Sequence, residues 1–201
     1  MRHPVVPYTK DALKQMDTPD MVEGGNLEAY SHTLYSHALY TPATTELEFF
    51  QADGNRRITN AVRQLPSPQY FMVYGVHVDY YVDPSPTAWQ DLWQLQNGVA
   101  AGAALVGGPT LTFTYADKDY GPEQLRSFHG TGAITGFGTA NNLNYANNYL
   151  PDGGFFQDGG LLLAPNQAFR ALIQWPAAVT LTRGPTQICV TLSGTHYRKI
   201  T

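Results

Sequence analysis

From Gly160 onward the chain alternates short apolar runs with turn residues, and no run is long enough for a helix. Phe169, Ala171 and Ile173 alternate with Arg170, Leu172 and Gln174, the two-residue side-chain period of a strand. Gly160 to Ala164 opens this series and Pro165-Asn166-Gln167 closes that run. Val179-Thr180-Leu181-Thr182 repeats the pattern and stops at Arg183-Gly184-Pro185, and Gln187 to Ile200 reads as a final strand. A chain that ends this way must bury sheet faces, so sheet-on-sheet packing constrains everything upstream.

The upstream sequence agrees. Gln69 to Val82 is the strongest strand signal, and from Val76 it alternates with His77, Asp79 and Tyr81 on the other face. Glu46 to Phe50 and Thr110 to Tyr115 alternate in the same way. Thr87 to Leu95 is the one good helix, capped by Ser85 or Thr87 and closed by Asn97-Gly98. Its apolar side carries Trp89, Leu92, Trp93 and Leu95. Ile58 to Leu65 reads as a short helix or an extended link, Asp117 to Pro122 as a loop, and Ser127 to Gly138 as irregular strand and turn. Asn141 to Asn148 with Pro151 to Gly154 forms a long polar loop. Residues 1–29 hold little apolar periodicity beyond a turn or two over Lys10 to Met16, and read as an arm. The expected fold is all-β: a single eight-stranded jelly-roll barrel or sandwich over 30–201, with long loops, one short helix and the 1–29 N-terminal arm.

Composition narrows the function classes. Charged residues make up 14% of the chain, below the roughly 25% of an average soluble protein. The net charge is −4 and the pI about 5.8, which argues against nucleic-acid binding through a basic surface, and no sequence-specific nucleic acid is expected. Little repulsion opposes self-association. The N-terminus has no apolar signal-peptide core, so no secretory export is implied. Cys189 lies in an apolar run and reads as a buried small hydrophobe, with nothing local to activate it.

Three groups of residues invite chemical readings. Ser31-His32-Thr33-Leu34-Tyr35 is followed by Ser36-His37-Ala38-Leu39-Tyr40, a tandem pentad that fits neither a helical nor a strand period. It reads as chance or a local duplication, with a paired-His metal or pH-sensing site and an aromatic contact strip as alternatives. His77 and Asp79 share a strand face, and with a distant His129 or His196 would form the His-x-Asp…His triad of jelly-roll iron oxygenases. Against that, no Arg follows His129 before Arg170, so the co-substrate clamp is missing. Glu46 and Glu48 share a face, but glycoside hydrolysis needs two acids across a groove. No nucleophile elbow, P-loop or His-Glu-x-x-His occurs. The expectation is therefore a non-enzyme, with no catalytic, cofactor-binding or metal-binding residues and no cofactor.

Phe49-Phe50-Gln51-Ala52-Asp53-Gly54-Asn55, then Ile58-Thr59-Asn60, Leu65-Pro66 and the strand Phe71 to Val78, form a familiar series. Gly159-Gly160-Leu161-Leu162-Leu163-Ala164-Pro165-Asn166-Gln167-Ala168-Phe169 and Val190 to Arg198 complete it. The pattern resembles small jelly-roll structural proteins of tailless icosahedral bacteriophages. In size it is closest to the single-jelly-roll capsid proteins of internal-membrane viruses, the sphaerolipovirus-like group. The resemblance covers 46–82 and 159–198. It implies a capsid subunit of the virion shell, made in the host cytoplasm, that associates with itself or with a second capsid protein in capsomers. Contact with an internal viral membrane is a further partner it implies. The alternatives are a carbohydrate- or ligand-binding β-sandwich using Trp89 and Trp93 as stacking platforms, and a jelly-roll metalloenzyme using His77 and Asp79.

Overall fold

The computed structural model describes residues 27–51, 59–61, 63–81, 86–98, 107–128, 160–182 and 184–199. Most of the 1–29 arm and the polar loop at 139–158 lie outside them. Eight strands run through the described residues: β1 (Leu27–Tyr40), β2 (Glu46–Phe49), β3 (Tyr70–Tyr81), β4 (Thr110–Tyr115), β5 (Lys118–Gln124), β6 (Leu161–Leu163), β7 (Phe169–Gln174) and β8 (Thr186–Lys199). One helix, α1 (Pro86–Asn97), joins β3 to β4, and a 3-10 turn over Leu125–Phe128 follows β5. The strands form two antiparallel four-stranded sheets, ordered β1-β8-β3-β6 and β2-β7-β4-β5. The protein is an all-β sandwich.

The alternation read from the sequence is what joins the sheets. Leu34, Val76, Val78, Ile188, Val190 and Leu192 turn inward from the first sheet. Phe49, Leu111, Phe113, Phe169, Ala171 and Ile173 meet them from the second. Each Val, Leu, Ile or Phe among them contributes about 1.5–3 kcal/mol by leaving water, and Ala171 less. Ring pairs such as Phe50 and Phe169, with centroids 5.3 Å apart, fill the middle.

Four sequence expectations need correction. Leu27 to Ala29, counted with the arm, pair with Lys199 to Tyr197 and belong to the first strand. The tandem pentad, whose period of five fits no strand repeat, nevertheless forms the body of β1. Asp117 to Pro122 is not a loop: Tyr115 pairs with Lys118 around a tight turn in which Ala116 takes a left-handed φ of 52°, and β5 continues to Gln124. β5 shows no apolar alternation because it is an exposed edge strand. Gly121 and Pro122 together oppose the single residue Thr112, a bulge that accommodates a proline in a ladder.

Val179 to Thr182 is the fourth case. Val179 and Leu181 are buried as their alternation predicts, yet the segment joins no ladder. Its main-chain donors go to side chains instead. Val179 N donates to Tyr40 Oη at 2.7 Å and Thr182 N to Asp91 Oδ1 at 2.8 Å. Asp91, 1% exposed, also accepts from Thr182 Oγ1 at 2.6 Å, so helix α1 is tied to this segment. Trp175 Nε1 donates to Leu95 O at 2.8 Å and holds the last turn of the helix. The described residues between β2 and β3 include no helix: Thr59 bridges Ser36 and Leu65 bridges Pro165.

Candidate functional site

The outer face of the first sheet, turned away from the core, gathers four of the titratable side chains singled out in the sequence: His37, His77, Asp79 and Cys189. Register sets them in three cross-strand rows. Tyr35, Thr191 and His77 form one, His37, Cys189 and Asp79 the next, and Leu39, Gln187 and Tyr81 the last. All nine alternate with inward core residues. β1 and β3 are separated by β8, about 9.6 Å from strand to strand. The His37 and Tyr81 rings nevertheless approach to 5.2 Å, so they meet above Cys189. That explains why this outward thiol is only 3% exposed.

The electrostatics of this face favour neutral groups. Burial pushes the Cys189 thiol above its ordinary value, with the Thr191 hydroxyl pulling the other way, so it is no nucleophilic thiolate. Burial raises the Asp79 carboxyl against the pull of His77 and His37. Burial likewise lowers the His37 imidazole against the pull of Asp79. His77 Nε2 lies 3.2 Å from Ser193 Oγ. Among the described residues Tyr81, 56% exposed, and Leu39, 56% exposed, are the two large apolar side chains most open to solvent.

His77 and Asp79 share a face, as their spacing predicts. His196 does not join them. It pairs with Phe71, five residues along β8 from the partner of His77, and its odd separation turns it to the inner side. There it is 5% exposed, with Nε2 3.1 Å from Gln69 Oε1 and its ring 5.0 Å from Tyr30 and 5.8 Å from His32. His129 lies outside the described residues. Among the described residues no three or more His, Cys, Asp and Glu side chains are placed to hold a metal ion. The paired-His reading of the pentad fails on parity: His32 faces inward and His37 outward.

A cavity of about 620 Å³ opens where the β1 edge meets β2, lined among others by Ser36, His37, Glu46, Glu48, Gln51 and Arg170. Glu46 and Glu48 stand on one wall of it, not across it. Glu48 accepts from Gln51 Nε2 at 2.9 Å and lies 3.7 Å from Arg63 and 3.8 Å from Arg170. The carboxylate is thus shared by one amide and two arginines.

Trp89 and Trp93 lie on α1, but their side chains are outside the described set. Sequence reasoning missed Tyr35 and Leu39 as surface residues, and missed Asn60. Asn60 caps the β1 edge: Tyr35 N donates to Oδ1 at 2.7 Å, Nδ2 donates to Thr33 O at 2.7 Å, and Asn60 N donates to Tyr35 O at 3.1 Å. Its position after Thr59 carries no signal that could have shown this. No family model matches the chain, and no curated protein matches it.

Proposed function

We propose that the sandwich is a single eight-stranded jelly roll and that the chain is a coat subunit of an icosahedral virion shell. The observation that carries this is the nesting of strand partners. β1 pairs with β8, β2 with β7, β3 with β6 and β4 with β5, as in one long hairpin wrapped into two sheets. That nesting supports the jelly-roll reading, an architecture shared by viral capsid proteins and lectins. The low charge and the Tyr-, Gln- and Thr-bearing outer sheet face suit a subunit covered by neighbours.

The test is assembly. Native mass spectrometry and light scattering over a range of protein and salt concentrations should show capsomers or larger particles, alone or with a second coat protein. A strictly monomeric species under all these conditions, with the other virion proteins present, would sink the proposal.

A carbohydrate-binding sandwich is the second reading. Exposed Tyr81 beside Asp79 and Gln187 offers a ring face with adjacent hydrogen-bonding groups, the combination that sugars require. Glycan-array binding lost in Tyr81→Ala would favour it over the shell.

A further inference from the structure

We propose that the Leu27–Ser31 stretch of the β1 edge is a self-pairing site, joining two copies of the chain into one continuous sheet about a two-fold axis at Ala29. The argument comes from comparing the four sheet edges. An unpaired edge is a template for further strands, and proteins protect it with shortness, charge, proline or a bulge. β6 is three residues long. β2 is four residues long and carries Glu46 and Glu48. β5 carries Lys118, Asp119, Glu123, Pro122 and the bulge opposite Thr112. β1 has none of these devices: its fourteen residues include no proline and one charge, Glu28.

Asn60 shows which groups of β1 point outward. Its side chain and main chain take the N–H of Tyr35 and the C=O groups of Thr33 and Tyr35, so odd-numbered positions face away from β8. The β1·β8 register has no shift, and the alternation continues to Ser31, Ala29 and Leu27. Their outward N–H and C=O groups have no partner among the described residues. Asn60 thus blocks the middle of the edge and leaves this end as the place where a strand can add.

The sequence of that end fits a second copy in antiparallel register. Ala29 faces Ala29, the smallest side chain of the stretch, and Leu27 faces Ser31. Glu28 faces Tyr30, so the strand's only charge never meets its own carboxylate. Such a contact is isologous and closes at two copies. The inference stands independently of the shell reading.

Sedimentation of the full chain tests it, with three variants. Wild type should form dimers at about 10 μM. Ala29→Pro removes an N–H that faces away from the chain's own ladder, so the fold tolerates it while dimer affinity drops about tenfold or more. In the proposed register two Ala29 Cα atoms lie about 5.5 Å apart, within disulfide reach. Ala29→Cys should therefore cross-link on mild oxidation. Leu27→Cys should not, since two such residues would stand about 13 Å apart. Native Cys189 is buried and adds little background. The proposal is overturned if wild type stays monomeric to about 100 μM, if Ala29→Pro dimerises as wild type does, or if Ala29→Cys cross-links no better than Leu27→Cys. Should Ala29→Pro fail to fold, the cysteine pair decides. Particles that assemble unchanged with Ala29→Pro would overturn the edge and spare the shell reading. Dimers in a chain that never forms particles would do the reverse.

Discussion

Leu34 is 3% exposed, and Leu39, its counterpart in the second pentad of the same strand, is 56% exposed. The cause is arithmetic. A strand repeats every two residues, so a five-residue sequence repeat puts each residue and its copy on opposite faces. Ser36 is buried and Ser31 exposed, Tyr40 is fully buried and Tyr35 is not. The duplication yields a two-faced strand, with one copy of each residue for the core and one for the outer surface.

The two leucines should respond differently to truncation. Leu34→Ala should cost about 2–5 kcal/mol, since it opens a cavity in the core. Leu39→Ala should stay within about 0.5 kcal/mol. Urea unfolding of both variants checks this, and equal losses would contradict the two-faced strand.

Tyr40→Phe should destabilise the fold by about 1–3 kcal/mol although it removes a single oxygen. That oxygen accepts from Val179 N at 2.7 Å and can donate to Thr44 O at 2.8 Å. The variant strands a buried main-chain N–H that has no ladder to fall back on. A loss no greater than that of a surface substitution in the same unfolding assay would contradict this.

Stability should fall on mild acidification. Burial holds the His196 imidazole below its ordinary 6.5, His32 and Arg198 act in the same direction, and Glu28 opposes them. The native state therefore binds fewer protons than the unfolded chain in the interval beneath 6.5. Stability is full above that value and is lost as pH drops through the interval. His37 on the outer face adds the same sign, from burial against Asp79. His196→Gln should flatten part of the slope of urea midpoints between about pH 7.5 and 5.5. Asp79 has the opposite sign in a more acid window. Burial raises its carboxyl above 3.8, so its penalty grows as pH rises from there, and Asp79→Asn should remove it. Slopes identical to wild type in both variants would refute these assignments.

Gly194→Ala should be among the most damaging small substitutions. A Cβ there would lie 2.0 Å from Met72 O and 2.9 Å from a Phe71 ring carbon, so the β8 and β3 backbones must part. The cost should reach about 3 kcal/mol. Gly108→Ala, which meets nothing within 4 Å, is the control and should be near neutral. Comparable melting temperatures for the two variants would show that the strands can give way.

The strands legible in the sequence are those buried on one face. β3, β4, β7 and β8 alternate because one side of each meets the core, and local sequence records that contact. β5 was illegible because it is an exposed edge with no apolar side to display. β1 was illegible because its repeat flips parity midway through the pattern. Val179 to Thr182 read as a strand because burial produces alternation whether or not a ladder exists. Its hydrogen bonds go to Tyr40 and Asp91, far away in sequence. At the outer face, the shared side of His77 and Asp79 follows from their spacing alone. Their meeting with His37 and Cys189 depends on the register of three strands, which no local pattern encodes. The exclusion of His196 has the same origin, together with the bulge between Val73 and Gly75 that shifts the phase of β3.

β8 lies between β1 and β3, which have no direct pairing with each other. The first and third of the described strands thus share a partner that is made after both. About 145 residues separate Tyr40 from Thr186, roughly 7–30 s of synthesis at ordinary rates. Throughout that time β1, a fourteen-residue strand with one charge, has the β8-facing side of its ladder unfilled. The nascent protein must keep it from pairing with its neighbours on the same message, by chaperone or by speed, until the ribosome delivers the strand that belongs there.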